Sequence, residues 1–191
     1  PRRCPPVSRY RTGVQQVEIN AGSYYLRALR ADRFIDDRAS IVAALGDPDS
    51  VRWVSPRANT IDEAGDYIAL RAREWLIDRR YSWGIAEPST GELLGEVGLK
   101  NVKLAEGSAE VACWTVPRHR GRGVMSTALW AALDFAFGGL GLRRIEYTCS
   151  ADNWASRRVA HKCGFHPVET QSFDEATPDV LVWALEHSPA R

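Results

Sequence analysis

The sequence predicts a mixed α/β fold with a largely antiparallel central sheet and helices on both of its faces. Three observations predict it. Residues 81–116 hold three runs of strand-like alternation, the first two separated by the turn Pro88-Ser89-Thr90-Gly91, which reads as an antiparallel meander. Two segments, around 32–45 and 61–79, repeat their apolar residues at helical spacing instead. Between the third of those strands and another at 144–150 stands a glycine turn followed by a helix, a connection that sets two strands parallel.

The elements follow in order. Residues 23–29 read as the first strand, with Tyr24, Leu26 and Ala28 alternating against Tyr25, Arg27 and Leu29. Asp32 is expected to open the first helix, which carries Phe34, Ile35, Ala39, Val42 and Leu45 and stops at Gly46 and the Asp47-Pro48-Asp49 turn. The second helix is expected over 61–79. Thr60 and Glu63 have capping-box spacing at its start, and Ile61, Ala64, Ile68, Ala72, Trp75 and Leu76 mark its core face. Strands follow at 81–87, 93–100 and 107–116. A helix over 123–137 buries Met125, Leu129, Ala132, Leu133 and Ala136, and Gly138, Gly139 and Gly141 end it. A strand at 144–150 leads to a short helix over 153–163 closed by Gly164, and strands at 165–173 and 180–186 finish the order β-α-α-β-β-β-α-β-α-β-β. Residues 1–21 show little periodicity and are expected to be a loose N-terminal extension, so that 22–191 make a single domain.

Composition narrows the function. With 45% hydrophobic and 26% charged residues the chain is of ordinary globular make-up, which argues against a disordered or fibrous class. A formal net charge of +1 lacks the basic excess of a nucleic-acid binder. The four cysteines (Cys4, Cys113, Cys149, Cys163) are scattered with no C-x-x-C pair, which predicts reduced thiols and a cytoplasmic location. No histidine stands near them in a ligand-like array, so no metal is expected. No run of about 18 apolar residues is present, and the arginine-rich start lacks the apolar stretch of a signal peptide, so no membrane partner is expected.

The segment with chemistry in it is the turn Arg118-His119-Arg120-Gly121-Arg122-Gly123. A strand ends just before it and a helix begins at once. Helix starts leave backbone N–H groups unpartnered and carry the positive end of the helix dipole. Glycine lets the backbone approach a ligand closely. The combination is an anion site suited to a phosphate or pyrophosphate, with Arg120 and Arg122 adding mobile charge. Neither G-x-x-x-x-G-K-[ST] nor G-x-G-x-x-G is present, so a P-loop and a dinucleotide turn are both unsupported.

The turn has company. Glu110-Val111-Ala112-Cys113-Trp114-Thr115-Val116-Pro117, the R-x-x-G-x-G turn and Val124-Met125-Ser126-Thr127-Ala128-Leu129 resemble the GNAT superfamily of acyl-CoA N-acyltransferases. The resemblance continues through Gly141-Leu142-Arg143-Arg144-Ile145, Asn153-Trp154-Ala155-Ser156 and Lys162-Cys163-Gly164-Phe165, and within the superfamily it leans to the branch of ribosomal-protein N-terminal acetyltransferases. The motifs occupy about 110–166, and the element order fits from about 23 to 186.

The resemblance implies acetyl-CoA as co-substrate and direct transfer to an amine. The amides of Arg118, His119, Arg120, Gly121, Arg122 and Gly123, with Val124 and Met125 opening the helix, would hold the CoA pyrophosphate. The main chain of Trp114, Thr115 and Val116 would pair with the pantetheine arm, and an amide near Trp114 or Thr115 would hold the thioester oxygen. Asn153, also a helix N-cap by its type and place, would hydrogen-bond the pantetheine. Ser156 is either an ordinary first-turn serine or the group that protonates the departing thiolate. The tyrosine that many members use for that task would fall at Ala160, where it is absent.

Glu110 is the candidate general base, as a carboxylate on the strand leading into the turn, with Glu96 its rival and a solvent-facing strand position its plain alternative. Cys113 packs into the sheet or serves a ping-pong route. Trp75, Trp83 and Trp130 fall at core-compatible positions, Trp53 and Trp154 could border a substrate pocket, and His119 and His161 are expected to be solvated. The acceptor is a protein N-terminal α-amine by the branch, or else a small-molecule amine such as an antibiotic, a polyamine or an amino-acid derivative. A CoA-binding module without turnover is the reading from another class. A homodimer is compatible with the superfamily.

Overall fold

The computed structural model describes residues 16–173 and 177–187. Its elements are β1 (Ile19–Ala21), β2 (Tyr24–Arg27), α1 (Arg38–Leu45), α2 (Ile61–Leu76), β3 (Tyr81–Ala86), β4 (Leu93–Lys103), β5 (Ser108–Thr115), a 3-10 turn (Pro117–His119), α3 (Val124–Asp134) running into a π turn (Phe135–Gly139), β6 (Arg144–Ser150), α4 (Trp154–Lys162), β7 (His166–Gln171) and β8 (Val180–Glu186). Eight strands form one sheet in the order β1-β2-β3-β4-β5-β6-β8-β7. Every neighbouring pair is antiparallel except β5–β6, the pair joined through the glycine turn and α3. The expected mixed, largely antiparallel fold is therefore observed.

Two apolar clusters lie against the sheet. One joins Val97, Leu99 and Val111 to Ala128, Leu129, Ala132 and Leu133 of α3. The other joins Leu93, Trp114 and Val116 to Ile41, Ala44 and Leu45 of α1 and Ala64 and Tyr67 of α2. Strand alternation explains the split, since successive side chains on β5 point to opposite faces.

Four expectations change. Residues 19–21, assigned to the loose extension, form an edge strand on β2, and the Trp83 indole donates to the Val17 carbonyl at 2.8 Å. Residues 1–15 lie outside the described residues. Asp32 does not open a helix. Its carboxylate accepts from the Phe34 and Ile35 amides at 2.9 and 3.2 Å, the local bonding that makes aspartate a turn former. Helix α1 begins six residues later, behind Asp37, whose buried carboxylate takes Arg27 in a two-pronged pair at 2.8 and 2.9 Å and so ties α1 to β2.

The capping box on α2 is formed as expected, but the core face of that helix is turned. Ala64, Tyr67, Arg71 and Trp75 are buried, whereas Ile61, Ala72 and Leu76 are exposed. Polar side chains occupy the inward stripe for a reason that lies in the site. Trp130 is not core: it is 47% exposed on the outer side of α3. Trp75 and Trp83 are fully buried and meet edge to face with centroids 4.9 Å apart.

Candidate active site

Strands β5 and β6 pair only at Ser108↔Arg144, Ala109↔Ile145 and Glu110↔Glu146. Beyond that point β5 continues with β4 and β6 with β8, and the two strands part. The inner edge of residues 111–115 is left without a strand partner. The Val116 amide donates to the Leu94 carbonyl at 2.9 Å. It therefore faces β4, and by alternation the Thr115 amide faces the gap. Val116 itself is buried and does not line the gap.

Two cavities fill the split. The first, about 380 Å³, runs from Cys113, Trp114 and Thr115 past the glycine turn to Asn153 and Lys162. The second, about 400 Å³, lies between Tyr67 and Arg80 on one side and Thr148, Cys149 and Ser150 on the other. They share a wall that includes Cys113, Trp114, Tyr147, Asn153 and Ser156.

The turn is shaped for an anion in the first cavity. Gly121 and Gly123 sit at φ 75° and 80°, a region that side-chain-bearing residues rarely adopt. No side chain caps α3, whose N-cap is Gly123. A Cβ built on Gly121 would meet nothing within 4 Å, so the backbone stands open to an approaching group. Gly121, Gly123, Val124, Met125 and Ser126 line the cavity. The arginine side chains behave differently from the expectation of mobile charge. Arg120 is pinned to Asp47 at 2.7 Å, and its hydrogen bond holds the Asp47 carboxyl below the usual range. Arg118 binds Glu92 and, like Arg122, does not line the cavity with its side chain. His119 is not solvated: it is largely buried with Nε2 3.0 Å from Glu92, and Arg118 with His119 holds that carboxyl low. His161 is exposed, as expected.

Asn153 caps α4. Its Oδ1 accepts from the Ser156 amide at 3.0 Å, which leaves the Nδ2 hydrogens as donors on the wall shared by both cavities. Ser156 Oγ lies 2.9 Å from the Tyr147 hydroxyl, and that hydroxyl lies 3.3 Å from Cys113 Sγ. Burial pushes the Tyr147 phenol well above its ordinary value and the Cys113 thiol up to about 11. Both are thus protonated near neutrality, which makes Cys113 a poor nucleophile. Tyr147 was missed by the motif reading. Its signal was an inward row on β6, Ile145, Tyr147 and Cys149, which brings a hydroxyl opposite β5 just before the N-x-x-S helix.

The two carboxylates part company. Glu110 pairs with Lys100 at 2.8 Å, accepts from Asn101 Nδ2 at 3.0 Å and lines neither cavity. The structure does not bring it together with Ser156. Glu96 is fully buried on the side of α2. It accepts from the Tyr67 hydroxyl at 2.6 Å and Arg80 Nη2 at 2.9 Å, with Arg71 Nε at 3.5 Å, and Trp114 Nε1 donates to Tyr67 at 3.1 Å. This is why α2 turns Tyr67 and Arg71 inward. Burial, with the Glu96 charge behind it, pushes the Tyr67 phenol up. Glu96 lines neither cavity, but Tyr67 and Arg80, which hold it, line the second. Trp53 borders both cavities. Trp154 borders neither, being 68% exposed with Arg157 stacked 4.1 Å from its ring.

A split between parallel strands, an uncapped helix behind a glycine turn and an asparagine-capped helix facing them make one composite slot. The acetyltransferase (GNAT) domain profile matches residues 25–166, most of the chain. The chain belongs to the GNAT family of acetyltransferases. YoaA of Bacillus subtilis (strain 168), an uncharacterized N-acetyltransferase, is 28% identical over 144 residues, covering 72% of this chain and 81% of that protein. The ribosomal-protein-serine acetyltransferase of Escherichia coli (strain K12) is 32% identical over 74 residues, or 39% of this chain and 41% of that one. The spermidine N(1)-acetyltransferase of Vibrio cholerae is 30% identical over 88 residues, or 46% and 49%. RimJ of Mycobacterium smegmatis, solved in complex with CoA-disulfide, superposes with a TM-score of 0.75 at 24% identity, covering 90% of this chain and 88% of that one.

As a GNAT enzyme the chain is an acetyl-CoA-dependent N-acetyltransferase. The slot fits the donor chemically: an open, positive-φ turn would suit a pyrophosphate and an unpaired strand edge an amide-bearing arm. Acetyl-CoA supplies an activated acyl thioester there. Among the described residues no group of three or more His, Cys, Asp or Glu is placed to hold a metal ion, and no helix is long and apolar enough to cross a membrane.

Proposed function

We propose that this enzyme acetylates a protein N-terminal α-amine by direct transfer. The carrying observation is the wall shared by the two cavities. A donor thioester lying along β5 in the first and an amine entering from the second would meet beside Ser156 and Tyr147. The turn amides from Arg118 to Gly123, with Val124 and Met125, would hold the pyrophosphate. The Thr115 amide, facing the gap, would hold the developing oxyanion. The Asn153 Nδ2 group would orient the pantetheine.

In this reading Ser156 gives its proton to the departing thiolate and recovers one from the Tyr147 phenol, which burial keeps protonated and which is restored by the proton the attacking amine sheds. A serine relayed to a buried tyrosine stands where Ala160 offers no hydroxyl. The ribosomal-protein-serine acetyltransferase among the relatives supports a protein acceptor, whereas the spermidine N(1)-acetyltransferase supports a small amine. Among the described residues no carboxylate lines the second cavity, which favours the former over a polyamine.

The test is thiol release from acetyl-CoA with short peptides bearing a free or a blocked N-terminus, with the product located by mass spectrometry. Acetyl on the α-amine of free peptides alone is expected. Modification of lysine side chains, or turnover of polyamines only, would sink the acceptor reading. Ser156→Ala is expected to lower kcat about a hundredfold, the usual order for a lost proton donor, with KM for acetyl-CoA little changed.

A further inference from the structure

The second cavity has a one-signed wall. Arg52, Arg80 and Lys100 line it, and among the described residues no Asp, Glu or His does. The carboxylates that balance these cations stand off the wall. Arg80 is held from behind by fully buried Glu96 at 2.9 Å. Lys100 leans on Glu110 at 2.8 Å, and Arg52 on Asp49 at 3.2 Å. The Arg52 pair is solvent-exposed and the Lys100 pair partly so, and pairs open to water hold their partners weakly. An incoming anion could take Lys100 and Arg52 at small cost. A polycation in the same space would face three cations, with their carboxylate partners set behind them.

The same wall bears on the chemistry. An amine must be neutral to attack a thioester, and among the described residues no acidic or imidazole side chain lines this cavity to take its proton. Neighbouring positive charge disfavours the ammonium form and lowers an amine's pKa. The wall would therefore favour the reactive form while binding an anion elsewhere on the same molecule.

We infer that the acceptor carries a carboxylate or phosphate close to its reactive amine, seated against Arg52, Arg80 and Lys100. This rests on the acetyltransfer reading above. One source is a peptide with an acidic residue next to its N-terminal amine. The other is a small amino acid or amino phosphate.

The experiment measures acetyl-CoA thiol release by the full chain with two sets of matched acceptors, beside direct calorimetry of acetyl-CoA binding. One set is a short peptide with an acidic, neutral or basic second residue. The other is an amino carboxylate, an amino phosphate, their uncharged counterparts, and spermidine. The inference expects kcat/KM at least about tenfold higher for the anionic member in one of the sets, and the set that discriminates names the source. It also expects Arg52→Gln, at an exposed position, and Lys100→Gln, at a half-buried one, to raise KM for that acceptor while leaving the fold and acetyl-CoA binding unchanged. Turnover of spermidine or basic peptides at equal or higher kcat/KM overturns the inference and leaves the acetyltransfer reading standing. Acetyl-CoA binding without thiol release for any amine overturns both.

Discussion

The two halves of the slot are built from different materials. In the proposed arrangement the donor half is main chain: a split strand edge, two glycines at positive φ and an uncapped helix start. Its side-chain charges are mostly turned to other work, with Arg118 and His119 on Glu92 and Arg120 on Asp47. The acceptor half is side chain: Tyr67 and Arg80 are fixed by a buried carboxylate, with Lys100 and Arg52 at looser pairs. A backbone site recognises a group that never changes. A side-chain wall can be rewritten without disturbing the sheet, which is where relatives acting on different amines have room to differ.

The sharpest way to break the acceptor half is to remove its hidden support. Glu96→Ala leaves Arg71 and Arg80 buried around a lost counter-charge. Breaking a buried pair in this way costs about 3–5 kcal/mol, so the denaturant midpoint should fall steeply. Glu96→Gln keeps an acceptor for the Tyr67 hydroxyl and should lose less. An unchanged midpoint for Glu96→Ala would show that Tyr67 and Arg80 are positioned by something other than this carboxylate.

The donor half breaks through the backbone. Gly123→Val forces a β-branched residue to φ 80° at the start of α3. Left-handed conformations cost such residues about 1–3 kcal/mol. The strain is expected to weaken acetyl-CoA binding roughly ten- to hundredfold by calorimetry, with acceptor KM little moved. A loss confined to the acceptor side would contradict the division between the halves.

The same division explains what the sequence disclosed. The glycine turn, the N-x-x-S cap and the element order were legible because they are local: each depends on residues adjacent in the chain. The Thr60–Glu63 capping box was legible for the same reason. The acceptor wall was not, because it depends on polar residues that go inside. Periodicity counts apolar residues, so it marked Ala72 and Leu76 on α2 and passed over Tyr67 and Arg71, which a carboxylate on β4 draws inward. Asp32 resembles a helix opener because the same residue type caps helices and makes turns, and only its bonds to Phe34 and Ile35 decide. Tyr147 stayed hidden because its role depends on how β6 faces β5 across the split, a relation between strands far apart in sequence.

Glu110 draws the boundary between the halves most finely. Its place on β5 made it the candidate base, and strand register shows why that place is misleading. It lies in the last step at which β5 still pairs with β6, opposite Glu146, before the strands part. Its carboxylate is taken by Lys100 and Asn101. A general base works deprotonated, so if Glu110 were the base, Glu110→Gln would remove the rising limb of the pH–rate profile. The geometry predicts the smallest effect of the three positions: kcat within about twofold and an unchanged pH–rate profile, because a partly exposed ion pair contributes little. Loss of Glu110 also frees Lys100 on the acceptor wall. The one change expected is therefore a modest fall in KM for an anionic acceptor, opposite in direction to the rise from Lys100→Gln. A large fall in kcat with loss of the rising limb would place the base on β5 after all and move the reactive centre toward the closed end of the split.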